Sequence, residues 1–151
     1  METSNEKSIG SLIHLSTLSQ YLIPFGNYLF PLLLWSSKKD KSAFIDYTGK
    51  QALNFQLSML LYSLIALIIA IPTCLYWFIN IIERLEISDQ QVTVREIITA
   101  ENISGMVILG IVAVIIALFL KLGEFFLIIY ASFKSANGEY YHYPLTINFI
   151  K

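Results

Sequence analysis

The chain has one cysteine, two histidines and few charges. Cys74 has no second cysteine for an intrachain disulfide or a cysteine-rich metal site, and its apolar surroundings read it as a small core residue. His14 and His142 stand far apart, and neither neighbourhood adds the carboxylates that a histidine metal site would need. No H-E-x-x-H, G-x-S-x-G or glycine-rich phosphate loop occurs, and Cys74 has no sequence-local base. The expectation is therefore a protein that is not an enzyme and has no catalytic residues, metal or cofactor. Charged residues make up 14% of the chain, against about a quarter in soluble domains. A net charge of −1 supplies no basic field for nucleic acid. The polar first dozen residues are not followed by a short apolar core and small-residue cleavage site, so no cleaved signal peptide is expected.

What the chain has is apolar length. Hydrophobic residues account for 56% of it, and the runs Leu57–Ile82 and Gly105–Phe133 each exceed the ~20 residues a bilayer crossing requires. Both are expected to be transmembrane helices. An earlier run, Ile9–Trp35, is interrupted by Pro24, Gly26 and Pro31, and reads as either one kinked span or two half-helices in a hairpin; the turn chemistry of PFGN favours the hairpin. The fold class expected is an all-α integral membrane protein. It divides into a broken membrane segment at 9–35, a loop at 36–47, long transmembrane helices at 48–82 and 105–137 joined by a loop at 83–104, and an extended tail at 138–151.

Charge sets the orientation. The first loop carries Lys38, Lys39, Lys41 and Lys50 against Asp40 and Asp46, whereas residues 83–102 carry Arg84 and Arg95 with five acids. The positive-inside rule puts the lysine loop and the tail on the cytoplasmic side and the acidic loop outside. Trp35 and Tyr76–Trp77 suit the two interfacial belts. Thr48-Gly-Lys-Gln51 and Thr93-Val-Arg-Glu96 fit the capping-box pattern, predicting helix starts there, and Asn137-Gly138 predicts a helix stop. Asn102-Ile-Ser104 matches a glycosylation sequon, a pattern short enough to arise by chance.

Gln51, Asn54, Ser58, Tyr62, Ala66, Ala70 and Thr73 share one face of the first long helix, and Gly110, Ala113 and Ala117 share one of the second. Small stripes let helix backbones approach closely in lipid, so the two helices are expected to pack through them. Continuing the second stripe reaches Lys121 and Glu124, an i,i+3 pair in an apolar segment. An unpaired charge at the centre of a span costs about 2.5–3.5 kcal/mol. The pair either lines a polar pathway or neutralises itself to fix packing. His14, Thr17 and Tyr21 share a face of the first segment and are expected to bond to neighbouring helices. In the tail, Leu145, Ile147 and Phe149 alternate with Thr146 and Asn148 as a half-buried strand would, and Tyr140, Tyr141 and Tyr143 suit headgroup depth. The tail is predicted to turn back onto the lysine loop and the start of the first long helix.

The stretches IPFGN, KKD, Asp46–Gln56 (DYTGKQALNFQ) and NGE followed by YPLTINFIK together resemble a widespread bacterial family of small membrane proteins described as similar to the twenty-kilodalton membrane subunit of the chloroplast inner-envelope translocon, a Tic-like family. That resemblance implies a small helical bundle with cytoplasmic motif loops, and says little of activity. The acidic insertion 83–102 and the Lys121–Glu124 pair lie outside the pattern. Two functions follow as expectations: a non-enzymatic subunit or scaffold of an envelope complex, or a transport or translocation element of oligomerised bundles with Lys121 and Glu124 in its path. Expected partners are membrane lipids and a protein or second copy. Candidate binding residues are Lys38, Lys39, Asp46, Lys50, Asn54, Gln56, Lys121, Glu124 and Tyr143. The cytoplasmic group among them is either a docking surface or an internal seam between loop and tail.

Overall fold

The computed structural model describes residues 2–87 and 105–151, which are helical, with a C-terminal segment of turns and irregular chain and no strand among them. The chain opens with α1 (Ser4–Ser16) and a 3-10 turn (Thr17–Tyr21), followed by α2 (Gly26–Lys38) and a second 3-10 turn (Lys39–Lys41). Two long helices complete the order, α3 (Ala43–Ile87) and α4 (Gly105–Ala136). The outer-loop capping box, the sequon and most of the acidic loop lie outside the described residues.

Helix α1 starts on a complete capping box. The Thr3 hydroxyl accepts from the Glu6 amide at 3.3 Å, and the Glu6 carboxylate accepts from the Thr3 amide at 2.7 Å, so two of the first-turn donors are satisfied. The chain then breaks at Leu22–Phe25, where Phe25 adopts a left-handed conformation (φ 62°). The break belongs to this turn and not to Pro31, which sits inside α2 and is buried. A Cβ on Gly26 would lie 2.6 Å from the Ser19 hydroxyl oxygen, so the close return of the chain requires glycine there. The earlier membrane segment is thus two 13-residue helices in contact with each other.

Helix α3 begins at Ala43, five residues before the Thr48 box. Ser42 is extended (φ −156°, ψ 125°), and its carbonyl accepts from the Asp46 amide at 3.0 Å. Thr48 is buried one turn inside the helix. The capping pattern at Thr48 is overruled by packing: Phe44 and Ile45 are buried, and hold the preceding turn helical. Pro72 is likewise accommodated within α3. Helix α4 stops as its sequence predicts. Gly138 is left-handed (φ 81°), the Gly138 amide donates to the Ser135 carbonyl at 2.9 Å, and the Glu139 amide donates to the Lys134 carbonyl at 3.0 Å. These two bonds make a Schellman cap.

The chain divides into two compact units, Met1–Leu61 with Lys121–Lys151, and Tyr62–Leu120. In the first, Ile13, Ile45 and Ala52 form a core against which Ile9 and Leu34 pack. Backbones approach closely here: the Trp35 ring lies over Gly49, and Phe44 lies over Gly10. In the second, a Cβ on Gly110 would meet the Thr73 methyl at 2.7 Å, and Ala113 is buried on the same stripe. Most large apolar side chains of α3 from Leu60 to Ile82, and of α4 from Ile108 to Phe133, lie exposed.

Two helices are long and apolar enough to cross a membrane, within Ala43–Tyr76 (mean hydropathy 2.2) and Ile108–Ala136 (2.5). The core helix of a soluble protein hides its apolar residues; here only 17% of each apolar window is buried. The exposed stretches, Leu60–Ile82 of α3 and Ile108–Phe133 of α4, measure about 34 and 39 Å at 1.5 Å per residue, enough to cross the ~30 Å of a bilayer's hydrocarbon. Both helices are candidate membrane spans.

Candidate functional site

The polar residues singled out from the sequence converge in the first unit, and most are consumed there. Asn54, 1% exposed, grips the C-terminal segment. Its side-chain oxygen accepts from the Phe149 and Ile150 amides at 3.1 and 2.8 Å, and its amide nitrogen donates to the Ile150 carbonyl at 3.0 Å. One turn on, Ser58 accepts from the Ile147 amide at 2.9 Å while donating to the Asn54 carbonyl. Three peptide units of the tail are thereby bonded to two side chains of one helix face.

The tail is not the predicted half-buried strand. It turns at Pro144–Leu145, where Leu145 takes a positive φ of 58°, and the Phe149 amide bonds to the Ile147 carbonyl two residues back. Leu145, Ile147 and Phe149, expected on the inner face, are exposed. Their alternation with polar residues loses because the tail has no neighbouring strand to pair with; side-chain amide and hydroxyl groups satisfy its backbone instead.

Tyr143 is the tail's anchor. It is fully buried, stacks on Phe55 with ring centres 4.0 Å apart and planes 8° from parallel, and shares a 2.9 Å hydrogen bond between its hydroxyl and His14 Nδ1. Burial pushes its phenol well above the usual range, so it acts as a neutral hydrogen-bonding group. Gln56 is also fully buried, accepting from the Asn27 amide at 2.7 Å. Asn54, Gln56 and Tyr143 are all buried. Asn54 and Tyr143 join the tail to the helices, whereas Gln56 joins α3 to Asn27 of α2.

Asp46 and Lys50 form an i,i+4 ion pair at 2.6 Å, and the Trp35 indole donates to Asp46 at 2.9 Å. Lys39 stacks its ammonium 5.1 Å from the centre of the Trp35 ring, and Lys38 ends α2 without an ion pair among the described residues. Lys121 bonds Glu124 at 2.8 Å; Glu124 is fully buried and Lys121 half-exposed. A third member, Gln20, donates to the other Glu124 oxygen at 2.9 Å, so a buried carboxylate has both oxygens satisfied. Among the described residues, no three His, Cys, Asp or Glu side chains come together as a metal site.

Sequence reasoning missed the Thr3–Glu6 box, although its spacing was in plain view; it expected His14 to form a hydrogen bond but not with which residue, and it gave none of the pairs His14–Tyr143, Gln20–Glu124 and Asn27–Gln56, which lie 129, 104 and 29 residues apart. No local pattern points to such pairs.

The model of one protein family, described as the magnetosome magnetite crystal formation protein family (MamF/MmsF), matches residues 5–150. The chain belongs to that family. No curated protein and no solved structure matches it. The MamF/MmsF match overturns the Tic-like resemblance. The motifs that carried the resemblance fall within 5–150 except for the final Lys151. Their residues include Gly26, Asn27, Asp46, Gly49, Asn54, Gln56 and Tyr143, which lie in packed or bonded positions of the first unit.

Proposed function

We propose that this MamF/MmsF protein is a non-enzymatic membrane scaffold in magnetite crystal formation, working through what it assembles with in the membrane. The observation that supports it most is the first unit's interior: Asn54, Gln56, Tyr143, His14 and Glu124 are all buried and hydrogen-bonded from one element to another, so the polar groups singled out there hold the chain together. The chain presents its remaining surface, lysine-bearing loop and apolar helix faces, to lipid and neighbouring subunits. The translocation reading has no support from the family.

The proposal includes a topology. Helices α1 and α2 are about 20 Å long at 1.5 Å per residue, short of the ~30 Å hydrocarbon, and they pack on each other. They form a re-entrant hairpin, with the amino terminus, lysine loop and tail together on the cytoplasmic side and residues 88–104 opposite. Impermeant thiol reagents on a Cys74→Ala background would label Ser4→Cys and Ser37→Cys from the same side of a sealed vesicle; labelling from opposite sides refutes the hairpin. The scaffold role is tested by expressing the chain in a magnetite-forming bacterium deleted for its own family members. Restored crystal dimensions under electron microscopy, retained when Glu124 is replaced by Gln, support a scaffold. Restoration that fails with a folded, membrane-inserted Glu124→Gln chain would show that the carboxylate does chemistry.

A further inference from the structure

The connection between α2 and α3 holds three ammonium groups against one unengaged carboxylate. Lys38 ends α2, Lys39 and Lys41 lie exposed on the 3-10 turn with Asp40 between them, and none of the three lysines is in an ion pair among the described residues. Lys50, Lys121 and Lys134, by contrast, each have an acid partner. Asp46 feels the Lys39 charge but is bonded to Lys50 and Trp35, and Glu6 is held by hydrogen bonds from Ser42 and Thr3. With Asp40 set against them, the three lysines leave an excess of two positive charges on this turn.

Two features beside the lysines select the kind of anion. Trp35 lies one turn before Lys38–Lys39 with the Lys39 ammonium over its ring, an arrangement suited to headgroup depth. Leu29, Leu32 and Leu33, on the preceding turns of α2, are exposed. The surface thus runs from apolar side chains through an indole to three cations, and it ends where α3, one of the two candidate membrane spans, begins. A free phosphate would use only the cations. A lipid with an anionic headgroup matches the entire gradient: acyl chain along the leucines, glycerol region at the indole, phosphate at the ammonium groups.

We propose that Trp35, Lys38, Lys39 and Lys41 form a docking site for the headgroup of an anionic membrane phospholipid. The site gives the protein a preference for anionic membrane regions, beyond the general solvation that any bilayer provides.

The test uses the full-length chain in lipid nanodiscs with Trp77→Phe, which leaves Trp35 as the sole tryptophan. Two discs of equal phosphatidylglycerol content are compared, one with brominated phosphatidylglycerol and one with an equal amount of brominated phosphatidylcholine. The expected result is several-fold stronger quenching of Trp35 by the brominated anionic lipid, a preference abolished by Lys38→Gln/Lys39→Gln/Lys41→Gln and kept in the control Lys7→Gln/Lys151→Gln, which removes lysines elsewhere in the chain. Equal quenching by the two lipids overturns the proposal, as does a preference that survives in the triple variant. Loss of preference on adding glycerol phosphate would assign the site to soluble phosphates and overturns the lipid reading. Should the triple variant not fold, salt decides with Trp77→Phe alone: the preference must weaken as ionic strength rises, and a salt-independent preference overturns the proposal.

Discussion

Replacing Asn54 with alanine should release the C-terminal segment while leaving the helices folded. The side chain makes three hydrogen bonds to the tail backbone, at 2.8, 3.0 and 3.1 Å. Each is worth about 0.5–1.5 kcal/mol net. The tail is partly exposed, so water takes over some of the freed groups, and the expected cost is about 2–3 kcal/mol, toward the lower half of the summed range. It falls on the equilibrium between docked and undocked tail, since Tyr143 still anchors the chain behind Pro144 through Phe55 and His14. A cost of that size raises the open population about 30- to 150-fold. Hydrogen exchange at the Phe149 and Ile150 amides reads this directly: both should exchange faster by that factor in Asn54→Ala, with amides of α3 and α4 unchanged. Unaltered exchange at both positions in a folded variant would refute the clamp, because it would mean that the tail is held by something other than these bonds.

The Lys121–Glu124 pair should respond asymmetrically. Lys121→Met strands a buried carboxylate with only Gln20 and should cost about 3 kcal/mol, whereas Glu124→Gln leaves Lys121 free to reach solvent and should cost about 1 kcal/mol; thermal unfolding in detergent should also show the double variant costing less than the sum. Gly110→Leu should separate α3 from α4 in the second unit, where even a Cβ would lie 2.7 Å from the Thr73 methyl, and should lower stability by about 1–3 kcal/mol, while Gly123→Leu, whose added Cβ meets nothing within 4 Å, should be near neutral. The hydrogen bond from Ser42, with those from Thr3, holds the Glu6 carboxyl down to about 2, from an ordinary value of 4.5. Its contribution is therefore complete above pH 4.5 and disappears as pH falls towards 2. A carboxyl carbon NMR titration should find that low midpoint, and Ser42→Ala should move it upward.

The long helices were legible because lipid solvation needs only length and apolarity, which composition records without regard to partners. The Gly138 stop was legible for a related reason: a left-handed cap is a property of a few consecutive residues. The Thr48 start was misread because a capping pattern is only a local option, and burial of Phe44 and Ile45 made one more helical turn the better choice. The tail's alternation was misread because a strand needs a neighbouring strand, and alternation alone does not supply one. The motif resemblance pointed to the wrong family, as the MamF/MmsF match over residues 5–150 shows.

By itself, then, the chain's order of residues determined that it is helical with two helices apolar enough to cross a membrane, roughly where those helices lie, and which small residues let them approach. These are consequences of local composition and spacing. Only the tertiary structure decided that Asn54, Gln56 and Tyr143 face inward, that Glu124 is shared by Lys121 and Gln20, and that three lysines remain unpaired beside Trp35. Burial and partnership arise between residues up to 138 positions apart, and the free energy of such contacts is set by packing that no single stretch of the chain contains.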